Sequence, residues 1–291
     1  MSESSTIVVT GATSGLGRLA AIEIARRGAR LVLIARDKAK AESVRALIKT
    51  AAPRCVVDVI FGDLSVMNEV RRVGTEIATA HPSINVLINN AGLHAFKQRV
   101  TADGFPIMVA VNYLAPWLLT HLLRAPLLAA AKSHGEARVV TVASEASRRH
   151  GRLSLPEDLT DTSQFTVRGS SLLYGKSKLL DIMFSQELAR RLAGTGVSAN
   201  ALDPGFNVTG LGRELGFAAV VLERLLRALH VGDPARGTSI IVRLATDPQF
   251  RGTTGGYFSV KEAQSLTPAS PGGDQELQTK LWAQTEQLLA S

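Results

Sequence analysis

The chain has 291 residues, of which 45% are hydrophobic and 20% charged, and it has one cysteine. This composition suffices for one sizeable core and argues against disorder, collagen and coiled coils. The single cysteine, Cys55, excludes an intrachain disulfide and a zinc site built from cysteines. The net charge of +8 comes from basic residues scattered along the chain, which argues against nucleic acid as a partner. A small polyanion or a solvated surface explains it better.

The sequence shows no targeting or metal-binding pattern. The apolar run at residues 7–9 is too short for a signal peptide, so we expect a cytoplasmic protein. The longest apolar region, residues 109–131, is interrupted by polar residues and prolines, which favours a buried helix over a membrane span. Membrane association is therefore not expected. The histidines are dispersed without ligand spacing, so no metal site is predicted.

Short β-branched runs alternate with longer helical patterns along the chain. Near-continuous apolar runs suit strands buried on both faces, as in a parallel sheet. The alternation predicts a single-domain α/β fold, a Rossmann-type doubly wound parallel sheet of about seven strands with helices on both faces. The predicted strands are 6–10, 30–35, 55–61, 85–89, 138–142, 197–202 and 256–260. The predicted helices are 15–27, 38–50, 66–80, 104–132, 171–193, 234–246 and 275–289.

Two segments interrupt this alternation. Residues 147–170 are polar and predict a loop. Residues 205–232 contain an apolar stretch from Phe217 to Leu229, which we interpret as a substrate lid, a subunit contact or, last, a membrane-surface helix. We expect residues 1–5 to be disordered and residues 265–291 to form a C-terminal tail and helix.

A glycine-rich turn, Thr10-Gly11-Ala12-Thr13-Ser14-Gly15-Leu16-Gly17, joins the first predicted strand to the first helix. Glycines let the backbone approach a pyrophosphate, and a helix N-terminus offers N–H groups and a positive dipole end. A tight turn without a ligand is the alternative, but the position between a buried strand and an amphipathic helix favours dinucleotide binding. The contacts predicted here come from Gly11, Thr13, Ser14, Gly15, Leu16 and Gly17.

The second predicted strand ends at Ala35-Arg36-Asp37. In a dinucleotide fold this position meets the adenosine ribose, where an acidic residue binds the 2′-hydroxyl and an arginine pairs with a 2′-phosphate. Arg36 follows the strand directly, so NADP(H) is the preferred cofactor. The alternative is that Asp37 contacts the ribose and Arg36 is a solvated charge, which keeps NAD(H) open.

An ordered set of motifs resembles the short-chain dehydrogenase/reductase family. The set comprises the glycine turn, Asn89-Asn90-Ala91-Gly92, Asn112, Ser144, Tyr174-Gly175-Lys176-Ser177-Lys178 and Asp203-Pro204-Gly205. The resemblance extends from about Thr6 to Val260 and is strongest to the retinol-dehydrogenase-like branch. The features shared with that branch are Ala35-Arg36-Asp37, the long insert before the tyrosine, residues 184–192 and the Leu281-Trp282 tail.

Tyr174 and Lys178 are one helical turn apart, so both side chains project from one face of the predicted helix. A free tyrosine has a pKa of about 10, too high for a base at neutral pH. A nearby ammonium favours the phenolate, which makes the pair a sensible proton-transfer unit. The spacing alone is more often a surface Tyr and Lys, and the surrounding motifs favour the catalytic interpretation.

The resemblance implies a role for each of four catalytic residues. Tyr174 would exchange a proton with the carbonyl or alcohol oxygen, and Lys178 would also hold the nicotinamide ribose. Ser144 would hydrogen-bond the substrate oxygen, and Asn112 would help hold a water-linked proton path to Lys178. Ser147 is the alternative serine, but Ser144 lies directly at the carboxyl end of a strand, where open α/β sheets bind ligands.

The resemblance also implies cofactor contacts after the third, fourth and sixth strands, besides those of Tyr174 and Lys178. Two of them have structural alternatives, a helix N-cap for Asp63 and sheet stabilisation for Asn89. The expected contacts are Asp63, Leu64, Asn89, Ala91, Gly92, Pro204, Gly205 and Thr209.

The sequence therefore predicts an NADP(H)-dependent oxidoreductase with Tyr174 as general acid/base. It would interconvert a carbonyl and an alcohol on a hydrophobic small-molecule substrate. The alternatives are a dinucleotide-binding regulator without turnover, and an epimerase or dehydratase on the same fold. The substrate, the direction of the reaction and formation of a homo-oligomer stay open.

Overall fold

The computed structural model of the chain describes residues 5–205 and 233–290. Its centre is one sheet of seven strands, all paired in parallel. This confirms the predicted doubly wound fold. The strands are β1 (Thr6–Thr10), β2 (Arg30–Ala35), β3 (Val57–Phe61), β4 (Val86–Asn89), β5 (Ala137–Val142), β6 (Val197–Asp203) and β7 (Tyr257–Ser259).

Helices pack on both faces of the sheet. Successive residues of β1 show why, because Val8 belongs to one apolar cluster while Ile7 and Val9 belong to the other. The helices described are α1 (Gly15–Arg26), α2 (Lys38–Ala51), α3 (Met67–Ala80), α4 (Ile107–Val109), α5 (Ala115–Leu122), α6 (Arg124–His134), α7 (Val167–Arg191), α8 (Pro234–Thr246) and α9 (Gln275–Ala290).

The strand order is β3-β2-β1-β4-β5-β6-β7. From β1 the chain builds outward through β2 to β3, and it then returns to the other side of β1 to form β4. Such a reversal opens a crevice beyond the carboxyl ends of β1 and β4, where doubly wound sheets bind their ligands. The glycine turn follows β1, and Asn90-Ala91-Gly92 follows β4, so the fold brings both to this crevice.

The prediction of one helix over residues 104–132 is wrong. The structure has α4, a π turn at Ala110–Leu114, α5 and, after a break at Leu123, α6. The prolines explain the interruptions: Pro116 has no N–H to donate to the carbonyl of Asn112, and Pro126 has none for the carbonyl of Leu122.

Residues 109–131 nevertheless lie in the core, as predicted for a buried segment, with most of their apolar side chains buried. In the described part of the chain, no helix is long and apolar enough to cross a membrane alone. The segments 107–122 and 124–134 would pass that test only as a pair, and they are bent by 57°.

The polar segment 147–170 is more structured than the predicted loop. Two short 3-10 helices, Glu145–Arg149 and Glu157–Leu159, lie within or overlap it. Helix α7 begins at Val167 rather than at residue 171, because the Thr166 hydroxyl caps it by accepting a hydrogen bond from the Gly169 N–H at 3.2 Å. The proposed lid, Phe217 to Leu229, lies outside the described residues.

The C-terminal helix α9 packs against α7 and the π turn. The Tyr113 hydroxyl lies 2.6 Å from Thr285 Oγ1, and Thr285 Oγ1 donates to the Leu281 carbonyl at 2.8 Å. A threonine hydroxyl has one hydrogen, so Tyr113 is the donor to Thr285. Trp282 of the same helix stacks on Phe184 with ring centroids 6.0 Å apart. Helix α9 therefore supports the π turn that carries Asn112.

Replacing Tyr113 with Phe should lower the free energy of unfolding by about 1 kcal/mol, since it removes one buried hydrogen bond and leaves the ring. Urea unfolding followed by circular dichroism measures this. The control is Thr279→Val, which removes the 3.3 Å bond from an exposed threonine of α9 to Glu187 and should change stability by less than about 0.5 kcal/mol. Equal stability of the two variants would contradict the support assigned to Tyr113.

Candidate active site

The turn after β1 is compact enough that its glycines cannot be replaced without movement. Gly11 and Gly15 have φ of +65° and +54°, a region that favours glycine. A Cβ on Gly17 would lie 2.3 Å from Asn90 Nδ2 and 2.5 Å from the Gly11 carbonyl oxygen. Helix α1 begins at Gly15, so its N-terminal N–H groups and positive dipole end adjoin the turn. This cradle fits a dinucleotide pyrophosphate.

The segment after β4 is fastened to the glycine turn through Thr10. Thr10 Oγ1 accepts hydrogen bonds from the N–H groups of Asn90 and Ala91, both at 2.9 Å, and Asn90 Nδ2 donates to the Thr10 carbonyl at 2.9 Å. Asn90 is thus a structural residue of the site that the sequence analysis did not single out. The sequence signal that could have identified Asn90 was its position in the motif Asn89-Asn90-Ala91-Gly92.

The Asn89 side chain points into the fold. Its Nδ2 donates to Thr120 Oγ1 of α5 at 3.0 Å, and the residue is buried. The side chain therefore ties β4 to α5, in line with the structural alternative, and its cofactor contact stays a prediction. Leu16 and Leu64 likewise pack against the hydrophobic core, which leaves their backbones for any cofactor contact.

The end of β2 presents an arginine rather than an acid. Asp37 is the N-cap of α2, where its carboxylate accepts the Lys40 N–H at 3.1 Å. That hydrogen bond is the main cause that holds the pKa of Asp37 below its usual range. The Arg36 side chain is 73% exposed and pairs with Asp63 at 3.4 Å. An exposed guanidinium here suits a 2′-phosphate.

Asp63 is held by hydrogen bonds from the residue two positions later. It accepts from the Ser65 N–H at 2.9 Å and from Ser65 Oγ at 2.8 Å. Burial raises the pKa of Asp63, but these bonds and the Arg36 guanidinium outweigh it and hold the pKa below its usual range. The N-cap of α3 is Val66, so the N-cap alternative for Asp63 is wrong.

Lys178 of α7 is buried at the end of β5. Its ammonium donates to the carbonyl oxygen of Val142, the last residue of β5, and to Asp181 Oδ2, both at 2.9 Å. Burial lowers the pKa of Lys178, but the charges of Asp181 and Tyr174 outweigh that and raise it. Burial also raises the pKa of Asp181 to about 6, against the opposing effect of Lys178. The two side chains form a buried ion pair.

Asn112 joins the π turn to α7 and to the segment after β4. Its Oδ1 accepts the Leu93 N–H at 2.8 Å, and its Nδ2 donates to the Leu93 carbonyl at 3.0 Å and to Ser177 Oγ at 2.9 Å. A Cβ on Gly92 would lie 3.4 Å from both Asn112 Oδ1 and Lys178 Nζ. The two catalytic candidates thus meet beside a position with no side chain, while the water-linked path stays a prediction.

Tyr174 lies half-buried under a histidine that sequence reasoning missed. The rings of Tyr174 and His94 stack with centroids 4.6 Å apart. His94 Nε2 lies 2.9 Å from Ser170 Oγ, and Ser170 Oγ donates to the Ala95 carbonyl at 2.7 Å. The serine hydrogen is used there, so His94 Nε2 is the donor. The position of His94, two residues after Gly92, was the available signal.

The two candidate catalytic serines, Ser144 and Ser147, differ in how accessible their side chains are to a substrate. Ser144 is half-buried, and its Oγ accepts the Ala146 N–H at 3.1 Å, which leaves its own hydrogen to be donated. Ser147 is completely buried. Gly175 lets α7 approach the 3-10 helix that follows Ser144, since a Cβ there would lie 2.5 Å from the Ala146 carbonyl oxygen. Access to a substrate favours Ser144.

The segment after β6 adjoins the same edge. Asp203 Oδ1 accepts the Glu145 N–H at 3.0 Å, which ties the ends of β5 and β6 together. Gly205 has φ of +72°, and a Cβ there would lie 2.9 Å from Val260 Cγ1. Pro204 lies between them, whereas Thr209 lies outside the described residues.

A family model described as short chain dehydrogenase matches residues 5–154. The chain is also 35% identical to human retinol dehydrogenase 14 over 95% of its own length and 84% of that protein. The chain belongs to the short-chain dehydrogenase family. This confirms the family resemblance predicted from the motifs, and it confirms the greater similarity to the retinol-dehydrogenase-like branch.

Solved structures show the same fold. The crystal structure of an uncharacterized protein from Mycobacterium paratuberculosis superposes with a TM-score of 0.76 and 30% identity, over 99% of this chain and 94% of that one. An active-site complex of Pseudomonas aeruginosa RhlG with NADP has a TM-score of 0.67 and 20% identity, over 88% and 94% of the two chains.

In this short-chain dehydrogenase, the predicted site residues within the described ranges follow the carboxyl ends of parallel strands or lie on α7 and the π turn beside them. That common edge is where the family fold would hold a dinucleotide. The residues placed there are Gly11, Thr13, Ser14, Gly15, Leu16, Gly17, Arg36, Asp63, Leu64, Asn89, Ala91, Gly92, Asn112, Ser144, Tyr174, Lys178, Pro204 and Gly205.

Gly17→Ala should weaken dinucleotide binding about tenfold, because the methyl group would displace Asn90 or the backbone of the turn. Overpacking costs about 1–3 kcal/mol, and about 1.4 kcal/mol is a tenfold change in affinity. Titration of NADPH followed by its fluorescence measures the effect. Gly273→Ala is the matched control, since a Cβ there meets nothing within 4 Å. Unchanged affinity in Gly17→Ala would contradict the cradle.

Proposed function

We propose that this short-chain dehydrogenase is an NADP(H)-dependent oxidoreductase that interconverts a carbonyl and an alcohol on a hydrophobic small molecule. The observation that carries the proposal is the convergence of Lys178 and Asn112 beside Gly92, with Tyr174 one helical turn before Lys178. Its likeness to human retinol dehydrogenase 14 supports a reaction at an alcohol or carbonyl group.

Tyr174 is the general acid/base of the proposed reaction. In carbonyl reduction its phenol donates a proton to the substrate oxygen, and in alcohol oxidation its phenolate accepts that proton. Ser144 donates a hydrogen bond to the same oxygen and stabilises the charge that develops there. When bound, a nicotinamide supplies or accepts the hydride.

Lys178 serves both the proton transfer and the cofactor. An ammonium has three hydrogens, and two are donated to Val142 and Asp181. The third is available to a ribose hydroxyl of the nicotinamide, beside Gly92. Pro204, Gly205 and Thr209 would flank the nicotinamide ring, as the family resemblance implies.

The proposed preference for NADP(H) follows from the two residues that come directly after β2. Arg36 is exposed, and Asp37 is engaged as the N-cap of α2, so the residue available to a 2′-substituent is cationic. The NADP held by the RhlG structure supports this choice. The hydrophobic substrate is supported by the apolar stretch from Phe217 to Leu229 and by the retinol named for the human relative.

Tyr174→Phe should lower kcat by about a hundredfold or more, because a phenylalanine cannot transfer the proton. NADPH oxidation is measured against aromatic, steroidal, retinoid and aliphatic carbonyls. NADPH binding by the variant, followed by fluorescence, shows whether its site is intact. A variant with full turnover on an accepted substrate would refute the role of Tyr174. Binding of NADPH by the wild type without turnover of any carbonyl would refute the enzyme assignment.

Arg36→Ala should raise the KM for NADPH about tenfold and leave the KM for NADH unchanged, because only NADPH carries the 2′-phosphate. Steady-state rates with both cofactors measure the two constants. The control is Arg45→Ala, which removes an exposed arginine paired with Glu42 on α2 and should change neither constant. An equal effect of Arg36→Ala on both cofactors would contradict the preference for NADP(H).

A further inference from the structure

The carboxylate of Asp181, which pairs with Lys178, is buried, and only one of its two oxygens accepts a hydrogen bond among the described residues. Asp181 is 1% exposed and lies one helical turn after Lys178 on α7. Its Oδ2 accepts the lysine ammonium at 2.9 Å, while its buried Oδ1 has no hydrogen-bond partner among the described residues. Such an arrangement is costly for a carboxylate. The family motifs in the sequence assign this residue no role.

The ionisable groups that act on this carboxylate come from two elements. From α7 they are Lys178, in direct contact, and Tyr174, which acts on the same ammonium. From the π turn, Tyr113 faces Asp181, whose charge acts on the Tyr113 phenol. The ion pair of Lys178 and Asp181 therefore lies beside the phenols of Tyr113 and Tyr174, and the Tyr174 ring also faces His94, with ring centroids 4.6 Å apart.

The pairing changes what Lys178 does to Tyr174. A lone buried ammonium would strongly favour the Tyr174 phenolate, whereas an ammonium with a carboxylate at 2.9 Å exerts a weaker field on the phenol. A protonated phenol is the form that donates a proton in carbonyl reduction. The phenolate is the form that accepts one in alcohol oxidation.

We propose that Asp181 is a positioning residue that holds the Lys178 ammonium and neutralises its charge, so that Tyr174 stays protonated and the site favours carbonyl reduction. The inference rests on the function proposed above for Tyr174 and Lys178. Asp181 acts through Lys178 and touches neither substrate nor cofactor. A purely structural ion pair would affect stability and leave the ionisation of Tyr174 unchanged.

The tyrosine content makes this ionisation measurable without substrate. The chain has three tyrosines, and two of them, Tyr113 and Tyr257, are almost fully buried. Burial raises the pKa of both phenols far above the ordinary value. The ultraviolet absorbance of a phenolate in the folded protein therefore reports Tyr174, and Tyr174→Phe, which should abolish the signal, verifies the assignment.

Asp181→Asn keeps the size of the side chain and an oxygen for Lys178 while it removes the charge. We expect the phenolate of Tyr174 to form about one pH unit lower than in the wild type. The pH profile of kcat for alcohol oxidation should shift in the same direction, and carbonyl reduction should decline at a lower pH. The KM for NADPH should change little.

The matched control is Asp158→Asn. Asp158 pairs with Lys176, a lysine of α7 that lies between Tyr174 and Lys178 in sequence and projects from another face of the helix. This variant also removes a carboxylate from a lysine of α7, but it should leave the Tyr174 titration unchanged. Equal shifts in the two variants would overturn the specific role of Asp181.

An Asp181→Asn protein that folds and binds NADPH but titrates like the wild type would overturn the proposal, even if its stability is lower. The wild type offers a test that needs no substitution, because its Tyr174 should show no phenolate absorbance at neutral pH. A phenolate present at neutral pH would overturn the proposal whether or not the variant folds. Since this readout needs no turnover, it is separate from failure to find a carbonyl substrate.

Discussion

A buried ammonium requires hydrogen-bond acceptors and a counter-charge, and Lys178 finds both within the fold. The acceptor is the Val142 carbonyl at the end of β5, and the counter-charge is Asp181 on the same helix. This interaction holds α7 in register against the carboxyl end of β5. Tyr174 lies one helical turn before Lys178, and Asn112 lies with Lys178 beside Gly92. Both placements depend on that register, so the chemistry of the site depends on how Lys178 is accommodated.

Close backbone approach is the second constraint on the site. The glycine turn after β1 contacts the segment after β4 at distances that exclude a Cβ on Gly17, and α7 passes the 3-10 helix after β5 at Gly175 in the same manner. Thr10 and Asn90 then satisfy the polar groups at the crevice with hydrogen bonds between the two strand ends. The result is a preorganised cradle rather than an open loop.

The regular part of the fold could be read from local patterns. The bounds predicted for the first two strands agree with β1 and β2, because a parallel sheet buried on both faces needs continuous apolar runs there. The long helix over residues 104–132 was predicted wrongly because its mostly apolar composition suits a helix on either side of each interruption. Its interruptions depend on Pro116, on Pro126 and on the hydrogen bonds between Asn112 and Leu93. These hydrogen bonds join the segment after β4 to the π turn.

The order of motifs along the chain was sufficient to indicate the fold, the family and the four candidate catalytic residues, because each motif needs only its own residue types and spacing. Contacts between distant segments could not be inferred in this way. That His94 stacks on Tyr174, that Asn89 turns toward Thr120, and that Asp37 caps a helix are known only from the structure. The same holds for Asp181, whose place one helical turn after Lys178 was visible in the sequence. The burial of its side chain, and the lack of a hydrogen-bond partner for its Oδ1 among the described residues, arise only when α7 packs against the sheet and the π turn.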